Sequence, residues 1–554
     1  MLNGYKPWPE EDLRRYRRHW EGLTIAEMVF RTVRRAPDAL AIVSGDERVS
    51  YRQLRARTER LAARLLEAGI RTQDRVVMQL PNSVEMIYAY LALTRIGAIP
   101  VMALRTHRHA EVRHFINASG AAAYLIPDRF HGFDYRDMAA ALQPDCPTLR
   151  TVLVAGAPGD RQLALGPMLD VHADPAQVAA TLAGVRVDPA DVATMLLSGG
   201  TTSVSKLIPR SHDDYVLNAR LCGQVAGFAS DTVHMVILPL GHNYNLASPG
   251  ILGVFYYGGT VVLAPDGDAD TVFALVERER VQVIAAAVPL IANWLNSGAA
   301  RRYDLSSLRV IQNGGARLAP ELRRRLRDEL GCLPQEIYGT AEGLINMTRL
   351  DDPDELILES SGAPVCEDDE IRVLDEHGND VPDGEAGELV TRGPYTIRGY
   401  YDAPEADRKA FTADGFYRMG DIVRRRGRHV FAEGRANDLI NRGGEKISCE
   451  EIENLILQHP KVLQTALVAM PDELFGEKAC AVVRTRPGET LAFDELIAFL
   501  RTKQIASFKL PERLEVMAEL PVSPVGKILK RVLREQIAAK LADERAAGAC
   551  SAAS

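Results

Sequence analysis

Cysteine is scarce in this chain, and its cysteines are not placed for a shared site. The seven cysteines among 554 residues lie far apart, and no two of them form a Cys-x-x-Cys pair. This spacing argues against a disulfide framework and against structural zinc. No stretch approaches the roughly eighteen uncharged apolar residues that a membrane span needs. The start of the chain mixes acids with bases and lacks the apolar core of a secretory signal. We therefore expect a cytoplasmic protein with no membrane partner.

An excess of positive charge is absent too. The formal net charge is −8, and the basic run RRRGR at 424–428 is explained as a solvated strand or turn. We therefore expect no nucleic-acid partner. With 46% apolar and 25% charged residues, the composition is that of a folded globular protein. The length exceeds what one hydrophobic core usually serves, so two or more domains are expected.

Apolar runs rich in Val, Ile and Leu alternate with helical patterns along most of the chain. RVVMQL precedes SVEMIYAYLALTRIG, and VQVIAAAV precedes PLIANWLNS. Repeated strand-then-helix segments predict α/β layers with largely parallel sheets. Across 368–401 the texture changes to short strands with Gly and Pro turns, which predicts a β-rich subdomain. Alternating helices and strands then predict a small α+β unit, so we divide the chain into domains 1–436 and 437–545.

The stretch LSGGTTSVSK, residues 197–206, follows an apolar strand and combines glycines, hydroxyl side chains and a lysine. It is not a nucleotide-triphosphatase P-loop, because Ser205 stands at the glycine position and Leu207 follows Lys206. Backbone N–H groups in a Gly-rich turn, with hydroxyls and one ammonium, still form a cradle suited to a polyphosphate. Taken alone, the stretch also fits a plain surface turn.

Further motifs follow in a fixed order. They are QNGGARL at 312–318, YGTAEG at 338–343, YRMGD at 417–421, EGRANDLINRGGEKISCEEIE at 433–453 and PVSPVGKILKR at 521–531. Each motif alone is weak evidence for any one protein family, but the order and spacing of all five together are specific. Together they resemble the adenylate-forming superfamily of acyl- and aryl-CoA synthetases, luciferases and nonribosomal-peptide adenylation domains. The resemblance runs from about residue 50 to Lys527. Within that superfamily, GHNYNLASPG and RGPYTIRGYY look most like the stand-alone aryl acid ligases of siderophore assembly, which activate 2,3-dihydroxybenzoate or salicylate.

The resemblance implies a large N-terminal domain of α/β layers with a β-rich subdomain, and a small mobile α+β C-terminal domain, with the site in the cleft between them. It implies that an aryl acid reacts with ATP, assisted by Mg²⁺, to give aryl-AMP and pyrophosphate. The aryl group then passes to the phosphopantetheine thiol of a separate aryl carrier protein. Two alternatives stay open: a benzoate-type or fatty acyl-CoA ligase with free coenzyme A as acceptor, and a non-catalytic nucleotide-binding protein.

The resemblance also assigns roles to individual residues. Lys527, His242 and Glu342 are the catalytic candidates, and Glu342 is the expected Mg²⁺ ligand. Asn437 stands at the expected hinge between the domains. The family's glycine and proline inside the phosphate loop are replaced here by Ser203 and Ser205. The residues expected to bind ATP are Ser198, Gly199, Gly200, Thr201, Thr202, Lys206, Gly315, Ala316, Tyr338, Gly339, Thr340, Asp421 and Arg435.

Substrate specificity is expected around HNYNLASPG. An amide side chain at Asn243 matches the family position that meets the ortho hydroxyl of an aryl acid, and no acidic residue stands there to hold an amino acid's ammonium. By the resemblance, Ser248 matches the dihydroxybenzoate ligases, in which a small hydroxyl side chain faces the ring's 3-position, whereas salicylate ligases tend to carry cysteine there. We expect Ser248 to have no other polar partner. Ile337 and Ile345 stand where those ligases usually have valine, and they could narrow the pocket toward salicylate. We expect 2,3-dihydroxybenzoate to be preferred. The residues expected to line the aryl pocket are His242, Asn243, Tyr244, Ser248, Gly315, Ile337 and Ile345.

Overall fold

A computed structural model describes residues 2–169, 174–198, 205–435, 439–442, 445–472, 475–503, 505, 507–523 and 526–552. Within these residues the helices are, in chain order, α1 Glu10–Tyr16, α2 Ile25–Arg35, α3 Tyr51–Glu67, α4 Val84–Arg95, α5 His109–Ser119, α6 Tyr135–Leu142, α7 Gly166–Leu169, α8 Pro175–Leu182, α9 His212–Val225, α10 Asn243–Ala247, α11 Gly250–Tyr257, α12 Ala269–Glu279, α13 Val288–Ser297, α14 Pro320–Leu330, α15 Asp354–Glu359, α16 Pro404–Ala410, α17 Cys449–Ile456, α18 Phe493–Thr502 and α19 Lys530–Ala552.

The strands up to the middle of the chain are β1 Leu40–Ser44, β2 Glu47–Ser50, β3 Arg75–Met78, β4 Ile99–Met102, β5 Ala123–Pro127, β6 Arg129–Phe130, β7 Phe133–Asp134, β8 Thr151–Ala155, β9 Leu163–Ala164, β10 Val192–Leu197, β11 Leu207–Ser211, β12 Val233–Val236, β13 Thr260–Leu263 and β14 Val283–Ala286. The later strands are β15 Val310–Gly314, β16 Leu333–Thr340, β17 Gly343–Met347, β18 Ala363–Pro364, β19 Glu370–Leu374, β20 Ala386–Arg392, β21 Tyr417–Arg426, β22 His429–Arg435, β23 Leu439–Arg442, β24 Glu445–Ser448, β25 Val462–Asp472, β26 Gly476–Thr485 and β27 Arg513–Val516.

Two large mixed sheets form the framework. A nine-stranded sheet has the order β18-β17-β16-β15-β14-β12-β13-β1-β2, and a seven-stranded sheet has the order β11-β10-β4-β3-β5-β8-β9. Most neighbouring strands are parallel, and antiparallel pairs occur at the edges, as in β16 with β17 and β10 with β11. The predicted α/β layers with largely parallel sheets are therefore confirmed.

Side-chain caps set where several helices begin. Thr24 and Glu27 form a capping box at α2, and Ser50 does the same with Gln53 at α3. Each box satisfies backbone N–H groups that have no partner inside the helix. Helix α4 is buried along nearly its whole length and packs on α2 and α3. This all-round burial explains why its sequence is apolar on every face.

The predicted β-rich subdomain is an antiparallel sheet of β19-β20-β21-β22, and its turns fall at the Gly-containing segments between β19 and β20. A separate sheet of β24-β23-β26-β25, with β27 beside β26, carries α17, α18 and α19 near the C-terminus. Strand β22 ends at Arg435 and β23 begins at Leu439. Among the helices that the structure describes, none combines the length and apolar character needed to cross a membrane.

One tight junction joins the edge of the nine-stranded sheet to the β-rich sheet. The Gly362 carbonyl accepts a hydrogen bond of 2.9 Å from the Val430 backbone N–H. Gly362 has φ +81°, and a Cβ added there would lie 2.1 Å from the Met347 carbonyl carbon. Gly378, in an exposed turn, has φ +85° but nothing within 4 Å of an added Cβ.

This pair of glycines gives a stability prediction. Both alanine substitutions strain a left-handed backbone, which we expect to cost about 1 kcal/mol at Gly378. Gly362→Ala adds a clash with backbone that cannot move aside, so we expect a loss of about 3 kcal/mol or more. Urea unfolding followed by circular dichroism measures both. Equal losses in the two variants would contradict the packing at Gly362.

Candidate functional site

The site is assembled where parallel strands of the nine-stranded sheet end. Strand β15 ends at Gly314, and β16 ends at Thr340 beside it. In sheets of this kind, ligands bind beyond the carboxyl ends of the strands. An added Cβ at Gly314 would lie 3.0 Å from the Tyr244 ring, whereas Gly315, with φ +85°, has open space around it. The glycine pair therefore lets an aromatic ring and a flat ligand approach the backbone.

The predicted phosphate cradle connects β10 and β11, which pair antiparallel. At its base the Ser198 N–H donates to the Lys206 carbonyl at 3.0 Å, and the Lys206 N–H donates to Ser198 Oγ at 2.9 Å. The Lys206 ammonium lies 4.8 Å from the centre of the Tyr400 ring. The remaining predicted cradle residues lie outside the described part of the chain: Gly199, Gly200, Thr201 and Thr202.

Glu342 is buried in the turn between β16 and β17 and lies close to this base. The Tyr400 hydroxyl donates to Glu342 Oε1 at 2.8 Å, and the Tyr400 and Tyr417 hydroxyl oxygens are 3.4 Å apart. Burial first, and then the Glu342 charge, raise the pKa of both phenols, so both stay protonated as donors. Lys206, Tyr400 and Glu342 thus converge on one side of the site.

A second group of polar residues lies on β16 and the β-rich sheet. The Tyr338 hydroxyl donates to Asp421 Oδ2 at 2.8 Å, and Asp421 is directly opposite Arg435 in the β21–β22 pair. Asn313 Nδ2 donates to the Ala316 carbonyl at 2.6 Å, which fixes the loop after β15. Gly339 and Thr340 continue β16, and Thr340 Oγ1 is 3.5 Å from the Gly343 carbonyl. Asn437, the expected hinge, lies outside the described residues.

The C-terminal lysine turn reaches this cleft. Its backbone is closed by the Ser523 N–H, which donates to the Lys527 carbonyl at 2.7 Å. An added Cβ at Gly526 would lie 3.1 Å from Ala287 Cβ, so the turn packs on the junction between β14 and α13. Burial, and then the positive charge of Lys527, lower the pKa of His242 to about 4. At neutral pH His242 is therefore uncharged beside the Lys527 cation.

The expected aryl-pocket residues lie mainly on α10, which His242 caps with Nδ1 accepting from the Tyr244 N–H at 3.3 Å. HNYN therefore begins a short helix. Ile337 and Ile345 are buried on β16 and β17. An added Cβ at Gly339 would lie 2.7 Å from Ile345 Cδ1, so this isoleucine packs tightly against β16.

The expectation that Ser248 lacks another polar partner is wrong. Ser248 Oγ accepts hydrogen bonds from Asn218 Nδ2 and from Asn243 Nδ2, both at 3.1 Å. Asn218 comes from α9, thirty residues earlier in the chain, and only the fold brings it to Ser248. Both lone pairs of the serine are occupied, and its own proton is accepted by no described residue.

Comparison with known proteins identifies the family. Residues 29–401 match the AMP-binding enzyme family and residues 451–527 match the AMP-binding enzyme C-terminal domain. The chain is 46% identical to the 2,3-dihydroxybenzoate-AMP ligase of Bacillus subtilis, over 98% of this chain and 99% of that protein. The chain belongs to the AMP-binding enzyme family. It is thus an adenylate-forming enzyme, and the resemblance noted in the sequence is confirmed.

Other relatives agree with this assignment. The chain is 44% identical to a Streptomyces protein named salicylyl-CoA synthase / salicylate adenylyltransferase, over 97% of this chain and 98% of that protein. Among solved structures, Mycobacterium smegmatis MbtA in its apo form matches with a TM-score of 0.74 and 38% identity, over 96% of this chain and 99% of that one. The predicted fold, a large N-terminal α/β domain with a small C-terminal domain, is confirmed.

Arg210 is a residue of this adenylate-forming enzyme that the motifs did not single out. It is fully buried on β11, pairs with Asp214 at 2.8 Å, and donates to the Ala341 carbonyl at 2.8 Å and the Tyr395 carbonyl at 3.1 Å. Ala341 immediately precedes Glu342. Strand β11, which follows the predicted phosphate cradle, therefore also holds the backbone that carries Glu342. The available signal was an arginine inside an apolar strand, four residues before an acid.

We expect Arg210→Lys to keep a charge near Asp214 but to lose the planar fork that reaches both carbonyls. Because Glu342 is the expected Mg²⁺ ligand, the Mg²⁺ concentration for half-maximal ATP–pyrophosphate exchange should rise about tenfold, or about 1.4 kcal/mol. Arg323→Lys is the matched control, since Arg323 is equally buried, pairs with Glu336 at 2.9 Å and donates to backbone carbonyls elsewhere. Parallel changes in the two variants would contradict a role specific to Arg210.

Proposed function

We propose that this enzyme activates an aryl acid with ATP to aryl-AMP and pyrophosphate, and then transfers the aryl group to the phosphopantetheine thiol of a separate aryl carrier protein in siderophore biosynthesis. One observation carries the proposal. The Lys527 turn lies in the cleft close enough to His242 to lower its pKa, at the start of the helix that bears Asn243 and Tyr244. In the proposed mechanism, this turn supplies the cation that acts where the carboxylate and the α-phosphate meet.

The chemistry requires such a cation. A benzoate-type carboxylate is a poor acyl donor, so its oxygen must first attack the α-phosphorus of ATP. A carboxylate O–P bond forms, the bond to the β-phosphate breaks, and pyrophosphate leaves. Negative charge builds up during in-line attack, so catalysis depends on positioning and electrostatic stabilisation. In the proposed site, Lys527 bridges the carboxylate and an α-phosphate oxygen, and neutral His242 adds no competing charge.

The other roles follow the arrangement of the site. Ser198 and Lys206, with the loop between them, hold the β- and γ-phosphates. Asp421 and Arg435 hold the ribose, and Gly315, Ala316 and Tyr338 line the adenine. A buried carboxylate is a suitable hard ligand for Mg²⁺, so Glu342 would hold that ion, which would supply neutralisation of phosphate charge. Tyr400 orients the Glu342 carboxylate through its 2.8 Å hydrogen bond.

Lys527 supplies the direct test. Lys527→Ala should lower aryl-acid-dependent ATP–pyrophosphate exchange by about a hundredfold or more, because the removed cation acts where charge develops. Thioester formation from supplied aryl-AMP should stay largely intact, since adenylation is already complete. Lys540→Ala, in the exposed part of α19 where it pairs with Glu515, is the control and should affect neither step. Equal loss of both steps in Lys527→Ala would remove this residue from its proposed role.

We propose 2,3-dihydroxybenzoate as the preferred acid. The support is the name of the 46% identical Bacillus relative and the proton of Ser248. That hydroxyl already accepts two hydrogen bonds and can only donate further, so an oxygen at the 3-position of the ring would receive its proton. The salicylate-named relative and the tight packing of Ile345 favour salicylate as the alternative.

Specificity constants test this choice. We expect kcat/KM for 2,3-dihydroxybenzoate to exceed that for salicylate by about tenfold, or about 1.4 kcal/mol, within the range of one buried hydrogen bond. Ser248→Cys should narrow the ratio because a thiol is a weak donor. If kcat/KM of the unmodified protein is higher for salicylate, then the space left by Ile337 and Ile345 decides the substrate instead of Ser248. Supplying coenzyme A and a carrier protein side by side separates a carrier ligase from a CoA ligase.

The second half-reaction requires the C-terminal domain to move. The thiol gives up its proton to solvent and its sulfur attacks the acyl carbon, so that the C–S bond forms, the acyl C–O bond to AMP breaks and AMP leaves. Residues 441–453, which follow the proposed hinge at Asn437, are proposed to enter the cleft after adenylation and to guide the phosphopantetheine arm. A few backbone dihedrals at the hinge can absorb such a rotation.

A further inference from the structure

A buried chain of hydrogen bonds lies behind Asn243. The Tyr215 hydroxyl on α9 donates to Asn243 Oδ1 at 2.8 Å, and Asn243 Nδ2 donates to Ser248 Oγ at 3.1 Å. Asn218 Nδ2 donates to the same Ser248 oxygen at 3.1 Å. Tyr215 is fully buried, which raises the pKa of its phenol far above neutrality. It therefore keeps its proton and acts as a donor.

The donor-to-acceptor direction of these hydrogen bonds is set at both ends of the series. Asn218 must present its N–H side to Ser248, because the same Nδ2 also donates to the Ala247 carbonyl at 2.6 Å. If the Asn243 amide were reversed, Tyr215 would have to accept, and its proton would find no other acceptor among the described residues. One donor lacks a protein acceptor in either orientation, but the Ser248 proton can be accepted by a ligand in the proposed pocket, whereas the Tyr215 proton on α9 would stay buried and unpaired, which is costly. Tyr215 therefore holds the Asn243 amide with its oxygen turned back toward α9.

We propose that Tyr215 is a specificity-determining positioning residue, which fixes Asn243 so that an N–H, and not the amide oxygen, faces the ortho substituent of the acid. The inference rests on the proposed function, in which Asn243 meets that substituent. The Ser248 hydroxyl has only its proton left to offer. The polar wall of the pocket is therefore composed of donors, and it selects aryl acids that carry an acceptor at the ortho position.

Ortho-hydroxy and ortho-amino benzoates differ in this respect. An ortho hydroxyl can donate its proton to the neighbouring carboxylate and keep its oxygen lone pairs as acceptors. An ortho amino group has its lone pair delocalised into the ring and presents N–H groups, which would meet the Asn243 N–H as donor against donor. Unpaired polar groups in a closed site lower kcat/KM strongly. The wall should thus reject anthranilate in favour of salicylate, although the two acids have nearly the same shape.

The test compares salicylate with anthranilate in ATP–pyrophosphate exchange. In Tyr215→Phe the amide is released to turn its oxygen toward Ser248 and the pocket, so the salicylate-to-anthranilate ratio of kcat/KM should fall at least tenfold. Tyr90→Phe is the matched control: Tyr90 is also fully buried, and its hydroxyl takes no part in the hydrogen bonds that join Tyr215, Asn243 and Ser248. The salicylate-to-anthranilate ratio of kcat/KM in Tyr90→Phe should equal that of the unmodified protein. Thermal unfolding checks that both variants fold.

Asn243→Asp gives a second route that does not depend on the Tyr215 variant. A carboxylate offers only acceptors, so the ratio should fall here too. An unchanged ratio in Tyr215→Phe, with both acids losing activity equally, would overturn the inference and leave the proposed function standing. An unchanged ratio in Asn243→Asp would overturn it as well. If no aryl acid supports exchange in the unmodified protein, the proposed function fails, and the inference fails with it.

Discussion

The buried ion pair of Arg210 and Asp214 is the interaction on which the backbone around Glu342 depends. Burial raises the pKa of Asp214, and the guanidinium 2.8 Å away opposes that shift. Removing one partner of such a pair typically costs about 3–5 kcal/mol, because the other charge is left buried. The same guanidinium holds the carbonyls before Glu342 and before Thr396. Two loops from distant parts of the chain are therefore fixed to β11, the strand that leaves the phosphate cradle.

Local patterns were enough to predict the layers, but not the residues that hold the site together. Strand and helix periodicity predicted β3 with α4 and β14 with α13, because each element has its own apolar pattern. Motifs marked residues that the fold brings to the candidate site, such as Tyr338 and Glu342. They did not mark Arg210 or Asn218, whose partners lie 131 and 30 residues away. The error about Ser248 has this origin, since contacts between distant segments are decided by the tertiary fold.

The two domains meet through a few polar contacts in addition to the lysine turn. Arg317, after β15, pairs with Glu450 of α17 at 3.1 Å, and burial raises the pKa of Glu450 to about 7. Arg486 also donates to Asn296 across the same boundary. Interfaces composed of a few polar pairs are typical of domains that move relative to one another. The C-terminal domain can thus move away from the arrangement that places Lys527 beside His242 with the loss of only modest interaction free energy. The proposed second half-reaction requires such a movement.

The aryl pocket shows why residue types at the ligand do not determine what a site accepts. An asparagine can present either an oxygen or an N–H, and a serine can donate or accept. The residues that hydrogen-bond to such a side chain from behind decide whether it offers a donor or an acceptor to a ligand. Here Tyr215 does so for Asn243, and Asn218 does so for Ser248. Each donor in this series of hydrogen bonds needs one acceptor. Once the Tyr215 proton is fixed on Asn243 Oδ1, the direction of the hydrogen bond from Asn243 to Ser248 is therefore fixed as well. In the proposed pocket, the choice of acid then depends on α9, which lies behind Asn243 of α10, so positions 215 and 218 belong in any comparison of specificity within the family.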